Sequence, residues 1–434
     1  MNMLGLIMAT ILPVIPQPTE FTPHEGACDL KHAVITSSIV EDEILGEEGY
    51  RMKITPEAVE ITAANEIGLV WGQQTLIQLR ESGETVQCGE ILDKPLYRVR
   101  GFMLDVGRMY HPMSFLYRVA KYMARYKMNV LHIHLNDNEI CKDPNTDWST
   151  KQAAFRLECE TYPGLTADDG HYTKKEFRKF MLDCRDMGIT VIPEIDVPAH
   201  SLAFTRYRPD FGSKEYGMDH LDLNKMDEIL PFLDKLFAEY LTGHEPTFIG
   251  PYCHVGTDEY NKKEAEKFRL FTDKMLEMVE KYGYKACAWG ALTHAKGSTP
   301  VRASSDITMD IWHNPYYQPA EALEAGYSIV SIPDGYVYLV PFAGYYYDFL
   351  NDRWLYDSWG PRWVGNYYVP DEKLHLLAGG KFALWNDMLG RGYNIEDNWI
   401  RITPAVKVLS QKFWSGRRAD MPWNVFSPIS SAMP

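Results

Sequence analysis

Short apolar runs recur along most of the chain, separated by amphipathic or polar stretches. From residue 99 onward they lie at 101–106, 130–135, 190–195, 248–255, 286–289, 307–312, 328–332 and 382–385, eight in all. Helical spacing of apolar residues appears between them, at 114–127, 174–187, 226–241 and 262–282, the first behind Ser114 as N-cap. Eight strands alternating with helices predict an α/β fold, a (β/α)8 TIM barrel. A doubly wound sheet is the rival, but no Gly-rich phosphate loop is present and eight repeats fit the barrel. Upstream, 51–54 and 59–62 alternate like half-buried strands, 65–68 reads as a turn, and 69–79 reads as an amphipathic helix around Trp71. The pattern divides the chain into a small non-catalytic α/β domain (1–95), the barrel (96–415) and a Pro- and Ser-rich tail (416–434).

Catalytic groups of such barrels stand at the C-terminal ends of the strands. Here those ends read 105–108, 134–137, 194–196, 254–259, Trp289, Trp312-His313, 334–338 and Trp385-Asn386-Asp387. They bring several carboxylates, Arg108, three Trp and several Tyr to one rim. Asp258 and Glu259 are adjacent, and side chains alternate along a regular strand. The two acids converge on one site only where the strand frays into a loop; otherwise they are a surface pair.

Composition narrows the chemistry. The net charge is −15, with no Lys/Arg-rich run, so no nucleic-acid partner is expected. The seven Cys are odd in number and form no C-x-x-C pair, which points to free thiols in a reducing compartment. The apolar stretch at 3–12 has no basic n-region and reads as a first strand region rather than a signal peptide. A cytoplasmic protein is therefore expected. No run reaches the ~18 apolar residues of a membrane span. No H-E-x-x-H or G-x-S-x-G motif is present, so neither a metal nor a cofactor is expected. Aromatics make up 13% of the chain, which suits sugar stacking and a filled core alike. Carboxylates within aromatic walls suit cleavage of a glycosidic bond, and the expected partner is an oligosaccharide or glycoconjugate.

Five segments then carry a resemblance. They are 100–108 (RGFMLDVGR), 129–137 (NVLHIHLND), 192–200 (IPEIDVPAH), 254–259 (HVGTDE) and 383–387 (ALWND). In this order they resemble glycoside hydrolase family 20, the β-N-acetylhexosaminidases, and the small unit before them resembles the α/β domain that often precedes that barrel. The resemblance implies exo-acting, retaining hydrolysis of terminal β-linked GlcNAc or GalNAc. Its nucleophile is the substrate's own 2-acetamido oxygen, an exception to the two-carboxylate rule.

By resemblance, Glu259 is the general acid and then base, with a pKa raised by burial or by Asp258. Asp258 accepts the acetamide N–H and stabilises an oxazolinium-like intermediate. Arg108 donates to sugar hydroxyls at the pocket floor; a structural ion pair is the plainer reading. Asp137 contacts sugar or forms a supporting salt bridge, and Asp196 and His200 form a supporting pair. His254 reads as a satisfied core histidine. Trp289, Trp312 and Trp385 wall the acetamido group. Tyr336 best matches the Tyr that binds the acetamide oxygen, with Tyr338 as rival. Asp387 contacts the outer hydroxyls.

Two positions depart from the family pattern. Thr257 replaces a common Gly, and a β-branched residue restricts the backbone there. Asp387 replaces a Glu and is one methylene shorter. The aromatic stretch 313–370 is expected to shape leaving-group subsites, to pack over the barrel, or to meet another subunit of a homo-oligomer. Lacto-N-biosidase-type release of a disaccharide and a catalytically silent sugar-binding barrel stay open beside the main reading.

Overall fold

The computed structural model describes residues 11–141, 143, 146–418 and 420–434; the expected strand region at 3–12 lies mostly outside them. The barrel strands are β1 Val99–Asp105, β2 Val130–His134, β3 Thr190–Val197, β4 Tyr252–Gly256, β5 Lys285–Trp289, β6 Thr308–Ile311, β7 Ser328–Ser331 and β8 Leu377–Leu384. Each pairs in parallel with the next, and β8 pairs with both β7 and β1, which closes the barrel. The β strands are buried on both faces, as parallel strands covered by helices must be, and so read as continuous apolar runs.

All eight predicted strands form. The fourth begins at Tyr252 rather than residue 248, because Gly250 and Pro251 break the ladder before it. Of the predicted helices, Met226–Leu241 matches and Lys174–Asp186 falls one residue short. The first spans Met113–Arg125 behind Pro112, with no side-chain cap, so Ser114 is not the N-cap. The last opens as a short 3-10 turn, Lys262–Glu264, and continues as Ala265–Lys281.

Upstream, five strands pair in a sheet covered by helix Glu66–Ser82. The predicted turn at 65–68 is instead the helix start, because the Asn65 side chain accepts from the Ile67 and Gly68 amides. Buried Asp93 ties this unit to the barrel. It accepts from Trp414 Nε1 (2.7 Å), Lys127 Nζ (2.7 Å) and Tyr50 hydroxyl (2.8 Å). The segment expected as a tail holds helix Trp423–Ala432, whose buried Phe426 stacks on Tyr356 at 4.4 Å. No helix of the described residues is long and apolar enough to cross a membrane.

The connection from β7 to β8 carries short helices, Asp334–Val337 and Asp352–Ser358, a hairpin at 363–368 and a 3-10 helix, Asp371–Leu376. Within it, Tyr338–Leu339 forms a two-residue strand beside the upper end of β8.

Candidate active site

The register of the strands assembles the site. His134 of β2 lies level with Asp105 of β1 and Glu194 of β3, and Glu194 with His254 of β4. Level residues in a parallel sheet face the same side, so these four point into the barrel together. Glu194 accepts from Trp289 Nε1 at 2.6 Å and lies 2.6, 3.0 and 3.1 Å from ring nitrogens of His134, His132 and His254. His254 is thus a core histidine. Its Nε2 lies 3.6 Å from Asp310, which Lys381 holds at 2.6 Å.

From this floor a chain of alternating acids and imidazoles climbs to the acid pair. His134 Nε2 lies 2.7 Å from Asp137, whose other oxygen lies 2.8 Å from His200 Nδ1. His200 Nε2 then lies 3.4 Å from Glu259 Oε2 and 3.9 Å from Asp258 Oδ2. Arg108 Nη1 lies 2.7 Å from Asp137, 3.1 Å from Asp105 and 3.5 Å from Asp387. Arg108 therefore makes the ion pairs of the plainer reading while its guanidinium still reaches Asp387. Asp137 is fully buried with both oxygens engaged, so it supports the site and cannot touch a sugar.

Asp258 and Glu259 leave the strand through two left-handed residues, Gly256 (φ 69°) and Thr257 (φ 66°). That turn breaks the alternation and lets both acids share one site. Thr257 adopts the conformation a Gly would adopt, at the steric cost a β-branched residue carries. Asp258 is buried, and its Oδ1 has no hydrogen-bond partner. Glu259 is half-exposed, at 48% of its side chain.

The two carboxyls are displaced in opposite directions. Burial, opposed by His200, pushes Asp258 up to about 6. Burial also pushes Glu259 up, but the His200 imidazole and Arg108 outweigh it and hold Glu259 below the usual carboxylate range. The expected upward shift of Glu259 is therefore not found in the free protein. The imidazole of His200 sits well above its ordinary value: burial pulls it down, but Asp137 and Asp258 more than offset this. Beneath the pair, Asp196 is buried with both oxygens unpartnered, and burial and Asp258 push its carboxyl well up.

The aromatic wall forms as a cluster. Trp385 lies 5.9 Å from both Trp289 and Tyr338, with Arg108 5.8 Å from its ring. Trp312 packs at a tilt against Tyr316, 4.6 Å between ring centres, a residue not singled out from the sequence, whose phenol feels the charge of both acids. The indole nitrogens of Trp312 and Trp385 are buried without partners. Tyr338, not Tyr336, faces this cluster. Tyr336 sits in the 334–337 helical turn against Trp354 (4.9 Å), whereas Tyr338 begins the short strand beside β8.

Four buried or half-buried groups among the described residues bring three metal-ligating side chains together, among them His132, His254 and Asp310. There the Lys381 ammonium already neutralises Asp310, and a cation would have to displace it. The other three groups share His134, Asp137, Glu194 or His200 with the hydrogen-bonded chain just described, and two of them add Asp196, whose oxygens have no partner. All seven cysteines are free, and burial pushes the Cys253 thiol well up, leaving it unreactive. A cavity of about 840 Å³ lies at the opposite, N-terminal end of the barrel, against the small domain, with Arg98, Tyr252 and Lys285 in its wall. It holds none of the acid pair.

Comparison with known proteins matches this fold and its two units. The model of "Glycosyl hydrolase family 20, catalytic domain" fits residues 97–415, and that of "Glycosyl hydrolase family 20, domain 2" fits 29–94. A beta-hexosaminidase of Akkermansia muciniphila is 32% identical over 288 residues, covering 62% of this chain and 57% of the relative. A lacto-N-biosidase of Bifidobacterium bifidum is 24% identical over 433 residues, 92% of this chain and 36% of the relative. The chain thus spans about half or less of these two relatives, though the match to a beta-N-acetylhexosaminidase of Cellulomonas fimi, 24% identical, covers 98% of this chain and 85% of that protein. Among solved structures, a GH20 beta-N-acetylhexosaminidase from Streptomyces coelicolor superposes with TM-score 0.77 at 21% identity, over 97% of this chain and 94% of that one.

Proposed function

The chain belongs to glycosyl hydrolase family 20, and from that premise we propose that it is an exo-acting β-N-acetylhexosaminidase working by substrate-assisted catalysis. The observation that carries this reading is the buried, unpartnered Oδ1 of Asp258 beside Glu259 and the tryptophan wall. A buried carboxylate oxygen without a donor is costly, and an acetamide N–H supplies one. In this reading the acetamide methyl packs against Trp289, Trp312 and Trp385, and the Tyr338 hydroxyl meets the acetamide oxygen.

The reaction then follows from charge. The acetamide oxygen attacks the anomeric carbon as the glycosidic bond breaks, and Glu259 gives the leaving oxygen a proton. The oxazolinium that forms is cationic, and ionised Asp258 beside it stabilises the charge. Water activated by Glu259 then opens the ring with net retention. The free protein holds Glu259 ionised against a protonated His200. Transfer of that proton from His200 Nε2 to Glu259 Oε2 arms the acid with no change in proton count. Asp137 keeps His200 in place throughout.

Turnover of aryl β-N-acetylglucosaminide tests the reading. Glu259→Gln is expected to lose about 10²–10⁴-fold in kcat, the usual worth of general acid–base catalysis. Full activity of that variant overturns the assignment.

A further inference from the structure

The loop from Val340 to Asp348 stands over the outer side of the pocket and is held rigidly. Its ends are joined by a hydrogen bond from the Val340 amide to the Tyr347 carbonyl at 2.9 Å. Its base is fixed by Arg401, a buried residue of helix Ile395–Ser415, which donates to Asp348 at 2.9 and 3.0 Å and stacks on Phe342 and Phe349. Phe342 and Gly344 both adopt left-handed backbone, with φ of 60° and 77°. They turn the chain so that two consecutive phenols face the strand ends. The Tyr345 hydroxyl donates to Asp387 Oδ2 and the Tyr346 hydroxyl to Asp334 Oδ2, each at 2.8 Å. The same oxygen of Asp334 also lies 2.9 Å from His313 Nδ1. The other oxygen of Asp387 faces Arg108 at 3.5 Å.

Asp387, one methylene shorter than Glu, is met by a phenol from the loop that precedes its own strand. We infer that Tyr345 is a specificity-determining residue: with Asp387 it caps the pocket beyond the outer hydroxyls, so that one N-acetylhexosamine fits and a disaccharide does not. This rests on the proposed hydrolytic reading and names its substrate class, a glycan ending in a single unsubstituted β-N-acetylhexosamine. The cap is stiff, since Arg401 and the two tyrosine–carboxylate bonds hold it from three sides. A second sugar on the outer hydroxyls would have to break the Tyr345–Asp387 bond and leave the carboxylate without that donor.

The test compares the wild type with Tyr345→Phe and Tyr345→Ala on aryl glycosides of β-GlcNAc, β-GalNAc and the disaccharide Gal-β1,3-GlcNAc. Calorimetric binding of free N-acetylglucosamine and of free Gal-β1,3-GlcNAc is measured in parallel. Tyr345 is half-exposed and Tyr345→Phe keeps its ring, so thermal melting serves to confirm that folding is unchanged. The wild type is expected to favour the monosaccharide glycosides at least 100-fold over the disaccharide one. Loss of one hydrogen bond to a carboxylate predicts that Tyr345→Phe raises KM and weakens N-acetylglucosamine binding by about tenfold, with kcat within about threefold. Tyr345→Ala is expected to narrow the preference for monosaccharide by about tenfold or more in both assays. Comparable disaccharide release or binding by the wild type overturns the inference, as does an unchanged preference in Tyr345→Ala. If hydrolysis is absent throughout while the binding shifts appear, the proposed activity falls and the cap stands. If neither sugar binds and neither glycoside turns over, both fall.

Discussion

His200 Nε2 lies 3.4 Å from Glu259 Oε2, while its Nδ1 lies 2.8 Å from Asp137. One imidazole thus joins the buried acid–imidazole chain of the barrel to the half-exposed carboxyl at its mouth. The raised value of His200 and the lowered value of Glu259 favour a proton on the ring over one on the carboxyl in the free protein. Because the His200 value is raised, that proton is retained as pH rises until the raised value is passed. His200→Asn removes the reservoir. Glu259 must then hold its own proton, and it loses that proton at lower pH than the pair does. The alkaline limb of kcat/KM against pH is expected to move to lower pH, with kcat at pH 7 down about 10–100-fold, less than the ~10²–10⁴-fold that loss of the general acid itself would cost. An alkaline limb that stays in place would show that His200 only holds Glu259 in position.

The barrel was legible because parallel strands buried on both faces announce themselves as apolar runs, and every one of the eight formed. The boundaries were not, where a backbone breaker or a cap overrode the pattern. Gly250-Pro251 delays β4, and Asn65 turns an apparent loop into a helix start. Site residues at strand ends could be named from position alone, as with Arg108, Asp258 and Trp385. What position could not give is partnership. Asp137 became a buried support because His134, His200 and Arg108 saturate it. Tyr336 and Tyr338 differ by one turn of local structure, invisible in Tyr-Val-Tyr. The downward displacement of Glu259 comes from His200, far away in sequence. Tyr345 stood out as part of an aromatic run, but its pairing with Asp387 across 42 positions leaves no mark in either stretch.

Thr257 offers a stability prediction. Its φ of 66° puts a β-branched residue in the left-handed region, and its hydroxyl is buried without a partner. The conformation costs ~1–2 kcal/mol and the unsatisfied hydroxyl ~1–3 kcal/mol. Against these stand the loss of one buried methyl, ~0.8 kcal/mol, and the extra chain entropy of Gly, ~0.5–1 kcal/mol. Thr257→Gly is therefore expected to raise stability by about 2 kcal/mol, read as a higher midpoint in urea with an unchanged slope. Its neighbour provides the contrast: a Cβ on Gly256 would fall 1.6 Å from Asp196 Oδ1, so Gly256→Ala should destabilise sharply. A Thr257→Gly protein less stable than wild type would mean that the threonine methyl is worth more to this turn than its strain.

Asp258 makes stability depend on pH in a direction that can be worked out. Its carboxyl stands at about 6 in the folded chain against an ordinary 3.8, so the folded state binds the proton more tightly than the unfolded state does. The associated stability is fully present below about pH 3.8 and is lost as pH rises through about 6. Above that, an ionised Asp258 is carried at a cost of at most about 3 kcal/mol. His200, Glu259, Glu194 and the Asp196 carboxyl beneath it all face this group, and their rearrangement absorbs part of that cost. Asp258→Asn cannot ionise. It is expected to be more stable than wild type at pH 8 by about 1–2 kcal/mol, with the difference shrinking toward zero near pH 4, while hydrolysis is strongly impaired. Thermal melts of both proteins across pH 4–8 provide the check. A stability difference that does not change with pH, or that grows toward acid, would show that Asp258 is not the group held up by burial.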